Sequence, residues 1–321
     1  MDSISLELLW DKIIYDGKTE YVLRRIDSVC IPEVNIGLNS SLKRCLFLEL
    51  PREYEADFQK IIRQNLTLEL LKDTNYIVLE LTDDSFYDLF NDLVISLYLR
   101  VKDVSDVDTY SKVFIQTFHK WSEFFHDQES DRLSQDVIKG LFGELFVLKL
   151  LVEDSNSSIV NDRLKSWKGP YDQGHDFILD SKDIEVKTKN VTKVSVRISS
   201  EQQLDCVSNR PLELFVLSVE QDSIHGISIK DLVVDIKTLV INMLGDTSIL
   251  LKAINQKGLT LKNIHDYDNF RYLPIKKSIY DCTKEGFPKL VKSNIPKSTS
   301  NITYDINLLD LDDYLLTSES L

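Results

Sequence analysis

HDFILDSKDIEVKTKN, residues 175–190, is the stretch whose reading decides the fold. Two short apolar-rich runs, DFILD and DIEVK, meet at Asp180 and Ser181. A two-residue loop there predicts a hairpin that opposes Leu179 with Lys182, Ile178 with Asp183, and Asp176 with Glu185. Alternate side chains of a strand share a face, so Asp176, Glu185 and Lys187 project to one side while Ile184 and Val186 turn to a core. Like charges placed directly opposite each other destabilise a sheet, and a divalent cation between them removes the repulsion. Mg²⁺ is commonly held by one or two carboxylates together with waters and substrate phosphates. The pair therefore reads as a Mg²⁺ site, open to Mn²⁺ as well, with the backbone carbonyl of Val186 as a third ligand. Lys187 would orient or help deprotonate an attacking water and stabilise a charged transition state. The pattern D-x(8)-E-x-K also arises by chance, so its surroundings carry the decision.

Upstream, Ile138, Leu141, Leu145, Leu148 and Val152 recur at helical spacing and predict a helix over about 135–153. Glu144 falls on or beside its buried face, where a carboxylate must be paired, protonated or bound to a metal. A structural ion pair and a further metal ligand both satisfy that demand. Gly140 and Gly143 each weaken the helix by about 1 kcal/mol relative to Ala, and they let another backbone approach. Downstream, VSVRISSEQQL (194–204) reads as a strand leading into a helix. Ser199 and Gln202 match a capping box, which leaves Gln203 as the candidate functional glutamine and the first turn's N–H groups open to a phosphate. His175 either contacts a phosphate or packs as a capping residue, and Trp167 either supports the site or belongs to the core.

Glu on a helix, then Asp, then Glu-x-Lys on a hairpin, then Gln on a following helix: this order resembles the PD-(D/E)XK nuclease superfamily. More narrowly, GLFGEL, Trp167 with Gly169 and Pro170, the HDF run at 175–177, the IEVK run at 184–187 and ISSEQQL are similar to a bacterial group catalogued as PD-(D/E)XK family members. The close match covers 140–203, and the flanks fit loosely. The resemblance implies an α/β, restriction-endonuclease-like core, a mixed central sheet flanked by helices, that cuts nucleic-acid phosphodiesters with Mg²⁺. It implies Asp176 and Glu185 as ligands, Lys187 as the lysine, Glu144 as the helix carboxylate and Gln203 as the glutamine. His-Asp stands here in place of Pro-Asp, a departure the superfamily tolerates. Members of the group are commonly encoded beside DNA methyltransferases and helicase-like ATPases in restriction or phage-defence clusters. DNA and proteins of those kinds are thus the implied partners. Such a core cuts one strand, so double-strand cleavage would require a homodimer or repeated action.

The rest of the chain is read as what surrounds this core. Its 321 residues, 43% hydrophobic, suffice for one large or two medium domains. Cys30, Cys45, Cys206 and Cys282 form no C-x-x-C pair, which argues for reduced thiols rather than a zinc staple. The N-terminus shows no basic region followed by an apolar one, and no apolar run reaches the roughly 20 residues of a membrane span, so a cytoplasmic protein is expected. A net charge of −14 argues against a general nucleic-acid coat, which is usually basic. Locally the sign reverses: Lys182, Lys187, Lys189, Lys193 and Arg197 face only Asp183 and Glu185 over 182–197.

Residues 1–105 read as an N-terminal α+β domain for recognition or docking. Its candidate strands are TEYVLRRID, RCLFLELP, LTLELL and YIVLEL, and SFYDLFNDLVISLYL is a helix capped by Asp84 or Ser85. The span 106–260 reads as the nuclease core with its leading helices. It opens with an aromatic stripe (Tyr110, Phe114, Phe118, Trp121, Phe125), is broken by the polar HDQESDR (126–132), and continues to a strand at 212–221 and a helix from 228. The span 261–321 reads as an extension of edge strands and loops, broken by Pro274, Pro288 and Pro296. Arg271, Lys276, Lys277, Lys289, Lys292 and Lys297 give it a basic lean that suits either a DNA backbone or plain solvation, and the acidic tail DLDDYLLTSESL is expected to fray. Two alternatives stay open: a non-catalytic scaffold or DNA-binding protein on the same fold, and an RNA-processing or repair nuclease. The latter is disfavoured by the lack of an RNA-stacking aromatic motif.

Overall fold

The computed structural model describes residues 3–54, 58–126, 132–171, 173–206 and 210–321. The chain divides into two compact units, Met1–Glu129 and Ser130–Leu321. Residues 127–131 of the expected polar break lie outside the described part.

The first unit is built on a fully antiparallel sheet of β1 (Tyr21–Arg25), β2 (Val34–Asn39), β3 (Arg44–Glu49), β4 (Ile61–Ile62), β5 (Leu66–Leu71) and β6 (Tyr76–Leu81). Its order is β1-β2-β3-β6-β5-β4. Three helices accompany it: α1 (Ser3–Trp10), α2 (Tyr87–Val101) and α3 (Val107–Ser122). Sequence reading anticipated four of the strands and missed β2, β4 and α1. In β2, Val34, Ile36 and Leu38 alternate with Asn35, Gly37 and Asn39, and the close approach of β1 explains the glycine: a Cβ there would collide with the Val22 carbonyl oxygen. The helix start also differs from expectation. Asp83, and not Asp84 or Ser85, supplies the cap by accepting from the Ser85 amide, and a 3-10 turn at Asp84–Phe86 precedes α2. Tyr110, Phe114, Phe118, Trp121 and Phe125 are buried as the stripe predicts. α3 packs on α2, and the division falls after Glu129, within the 105–132 window in which the boundary is expected.

The second unit carries α4 (Gln135–Glu153), α5 (Val160–Ser166), α6 (Ile229–Asn242) and α7 (Thr247–Gln256) around a mixed sheet. Its strands are β7 (Phe177–Ile178), β8 (Asp183–Asn190), β10 (Leu212–Gln221), β11 (Tyr272–Asp281) and β13 (Leu315–Ser320), in the order β13-β11-β10-β8-β7. Only β8 and β10 run parallel. A separate ribbon pairs β9 (Ser195–Ile198) with β12 (Tyr304–Asn307), and its Val196, Ile198 and Ile306 share a core with Leu214 and Val216 of β10. This is the α/β class expected, with the mixed central sheet flanked by helices.

Residues 261–321 are integral to this sheet and not an extension. β11 lies inside it, and it tolerates Pro274 because the register against β10 slips there, beyond the Lys276–Tyr280 span that pairs with β13. The tail expected to fray forms the edge strand β13, whose six residues are all exposed and so give no alternation to read. Pairing between β7 and β8 stops at Phe177–Ile184, and no other described strand covers that side of β8 from Glu185 onward. α4 packs on β8 through Gly143, where a Cβ would collide with Thr188 Oγ1. Gly140, by contrast, has open space beside it.

Candidate active site

The hairpin takes the expected register as far as it pairs: Ile178 pairs with Asp183, Phe177 with Ile184, and the Leu179 amide donates to the Lys182 carbonyl at 2.9 Å, but the strand pairing ends before the expected Asp176–Glu185 pair. Asp176 lies just before β7, and its Oδ2 accepts the Val186 amide of β8 at 2.8 Å. Its own carbonyl accepts the Lys168 and Gly169 amides at 2.7 and 3.1 Å, so the segment after α5 folds down over it. Glu185 is 1% exposed. Its Oε1 receives Lys187 Nζ at 2.8 Å, and the same ammonium donates to Gln203 Oε1 at 3.0 Å. Glu144, on α4, accepts the Trp167 indole N–H at 2.7 Å. Trp167 is therefore both a core residue, 1% exposed, and a support for a site carboxylate.

The helix expected after 198 does not form. Residues 201–204 are turns, with the Gln203 amide on the Ser200 carbonyl at 3.3 Å. Gln203 Oε1 accepts the Ser199 amide at 2.7 Å, so a local side-chain bond replaces both the capping box of Ser199 and Gln202 and the helix N-terminus offered to a phosphate. Gln203 still reaches Lys187 from this turn. His175 is buried with Nδ1 3.2 Å from Asp183 Oδ2, while Arg210 holds Asp183 Oδ1 at 2.9 Å. It braces the hairpin and does not line the cleft. Of the basic C-terminal residues, Arg271 is taken up by Asp231, Lys277 by Glu319 and Lys289 by the Cys282 carbonyl.

Burial and mutual charge dominate the electrostatics. Burial, and then the charge of Asp176, push Glu144 up to about 7. Burial followed by Asp176 holds Glu185 well above the usual carboxylate range. Burial also raises Asp176, against the opposing pull of the Val186 amide and Lys187. Lys257, just past α7, acts on both Glu144 and Asp176 as a further positive charge. Sequence reasoning missed it, since nothing local to α7 points to the hairpin.

The donor set suits a hard cation. It consists of carboxylates and main-chain oxygens without thiol or imidazole. A Cβ at Gly169 would collide with Glu144 Oε2 and lie 2.9 Å from Asp176 Oδ1, so the glycine keeps open a notch on which two carboxylates converge. Among the described residues no three His, Cys, Asp or Glu side chains form a preformed cage. The notch opens into a cleft of about 530 Å³ that also contains Val186, Lys187 and Gln203.

The profile of a family described as "Putative PD-(D/E)XK family member, (DUF4420)" matches residues 6–309. The chain belongs to this family. The DUF4420 match runs through both units, so the antiparallel sheet of the first is as much part of the family pattern as the hairpin. Membership accords with a restriction-endonuclease-like core in the second unit and with a superfamily made up generally of nucleases that typically use divalent metals. No curated protein and no solved structure matches the chain. No described helix of this DUF4420 member is long and apolar enough to cross a membrane.

Proposed function

We propose that the protein is a Mg²⁺-dependent endonuclease, also served by Mn²⁺, that hydrolyses DNA phosphodiester bonds. The observation that carries this reading is the fixing of Lys187 Nζ between Glu185 and Gln203, at 2.8 and 3.0 Å, beside a notch lined by Asp176 and Glu144. Asp176, Glu185, the Val186 carbonyl and Glu144 are the groups that would hold the ion. Bound there, Mg²⁺ would supply Lewis-acid charge to the phosphate and lower the pKa of a nucleophilic water. Lys187, held on two sides, would have an N–H left for that water and would bring positive charge to the phosphate as negative charge develops on it. Gln203 fixes the lysine, and Trp167 keeps the Glu144 carboxylate turned to the notch.

A role as subunit of a bacterial restriction or defence system, in the cytoplasm, is the setting we propose. It is supported by the likeness of 140–203 to chains encoded beside methyltransferases and helicase-like ATPases. Those proteins, together with a second copy of the chain for double-strand cleavage, are the proposed partners. Plasmid DNA, methylated and unmethylated, incubated with wild type, Asp176→Ala and Lys187→Ala in Mg²⁺, Mn²⁺ or EDTA tests the chemistry. Wild type should nick or linearise the plasmid only with metal, and both variants should fail. Equal cutting by Asp176→Ala, or cutting that persists in EDTA, would refute the assignment.

A further inference from the structure

The cleft has a second end whose chemistry differs from that of the carboxylate notch. Lys139 from α4, Lys189 from β8, Lys193 from the turn after β8, and Arg197 from β9 line it. Two carboxylates accompany them. Asp136, 91% exposed, pairs with Lys139 at 2.9 Å, and Asp305, 51% exposed, pairs with Arg197 at 3.1 Å. The Arg197–Asp305 pair, open to water on both sides, contributes little, so an arriving phosphate can take Arg197; Lys139 is itself 16% exposed, and its partner carboxylate is the solvated member of that pair. Lys189 spends its hydrogen bonds on main-chain oxygens, chiefly the Lys193 carbonyl at 2.6 Å. It stands in one cross-strand row with Ser218 and Lys276, and the neighbouring Lys276 charge, after burial, holds its ammonium below the ordinary value. Positive charge is thus gathered here in excess of its local counter-charge, within a chain of net charge −14.

No aromatic side chain lines the cleft among the described residues, so the cleft offers no platform on which an unstacked base could rest. Its polar groups at this end are cations, which suit phosphate oxygens and not base edges. We propose that Lys139, Lys189, Lys193 and Arg197 form a phosphate-backbone subsite flanking the carboxylate notch, which grips the substrate strand without reading its bases. This rests on the nuclease reading for the identity of the polyanion. Lys276 adds to the field of the subsite through Lys189, which accounts for one member of the C-terminal basic group that no ion pair absorbs among the described residues.

The test is fluorescence anisotropy of short fluorescein-labelled DNA duplexes of two unrelated sequences, titrated with the full chain in EDTA over a range of salt. Wild type, Asp176→Ala, Lys193→Ala/Arg197→Ala and the charge-preserving Lys193→Arg/Arg197→Lys are compared. The double alanine variant should bind both duplexes roughly tenfold or more weakly, and its plot of log affinity against log salt should be shallower by about 2. The charge-preserving pair should bind like wild type, which separates lost charge from a disturbed fold. Unchanged affinity and slope, a loss confined to one sequence, or absence of wild-type duplex binding would overturn the proposal. Charge-dependent binding by a wild type that cuts nothing with Mg²⁺ or Mn²⁺ would leave the subsite standing and remove the nuclease reading. Metal-dependent cutting with no effect of the double variant on binding would do the reverse.

Discussion

Replacing Glu144 by Gln probes the carboxylate centre directly. In the metal-free protein burial, followed by the charge of Asp176, raises Glu144 from 4.5 to about 7. A group whose folded pKa lies above its unfolded one binds its proton more tightly in the folded state. Its contribution is therefore fully present below about 4.5 and is lost as pH rises to about 7. That displacement corresponds to about 3 kcal/mol between the acid and alkaline limits. Gln is close to Glu in size, and its carbonyl can still accept the Trp167 indole N–H, so the main change is the missing charge. In EDTA at pH 8, Glu144→Gln should be about 2–3 kcal/mol more stable than wild type, with most of that gain gone at pH 5. For a unit of this size the gain amounts to a Tm higher by roughly 5–10 °C. Calorimetric unfolding at the two pH values measures it, and adding Mg²⁺ should raise the wild type more than the variant. A variant less stable than wild type by the same amount at both pH values would refute the reasoning. It would make Glu144 the structural partner of a cation such as Lys257.

Gly169→Ala should abolish plasmid cleavage and calorimetric Mg²⁺ binding while leaving the circular dichroism spectrum unchanged, because the added Cβ fills the notch shared by Glu144 and Asp176. Trp167→Phe removes the hydrogen bond that lowers the pKa of Glu144, so the acid limb of the cleavage–pH profile should move to higher pH. An unmoved profile would mean that Glu144 ionisation does not limit the rate. Gly143→Ala should destabilise the second unit by about 1–3 kcal/mol through overlap with Thr188 Oγ1, and Thr188→Ala should restore much of the loss in urea unfolding. Simple additivity of the two substitutions would contradict the packing of α4 on β8 described above.

Much of the second unit was legible because its signals are local and repeated. The stripe from Ile138 to Val152 gave α4 at Gln135–Glu153, and Asp180-Ser181 gave the hairpin register. That Lys187 shares a face with Glu185 follows from strand alternation alone; their ion pair is what the structure adds. What escaped depends on partners distant in sequence or on side chains that overrule a pattern. Gln203 bonds the Ser199 amide itself, so a sequence that reads as a capped helix ends in turns. β13 belongs to the sheet through its main chain only, and exposed side chains carry no periodicity. Lys257 approaches the carboxylates from α7, and no spacing rule connects it to the hairpin. Trp167 carried a readable signal, since a buried indole N–H requires an acceptor, but the sequence left several acceptors to choose from.

From Glu185 onward no other described strand pairs with that side of β8, which has a consequence for the molecule in concentrated solution. An unpaired strand edge is a template on which another chain can add, and proteins ordinarily cap it, shorten it or charge it. Here Lys187, Lys189 and Lys193 lie along or just beyond that edge, so two copies approaching edge to edge would meet with like charge. The lysines that face the cleft are therefore expected to act also as gatekeepers against fibrillar self-association. Their protection depends on electrostatics, so high salt, or a polyanion too short to fill the cleft, is the condition under which this protein should begin to aggregate.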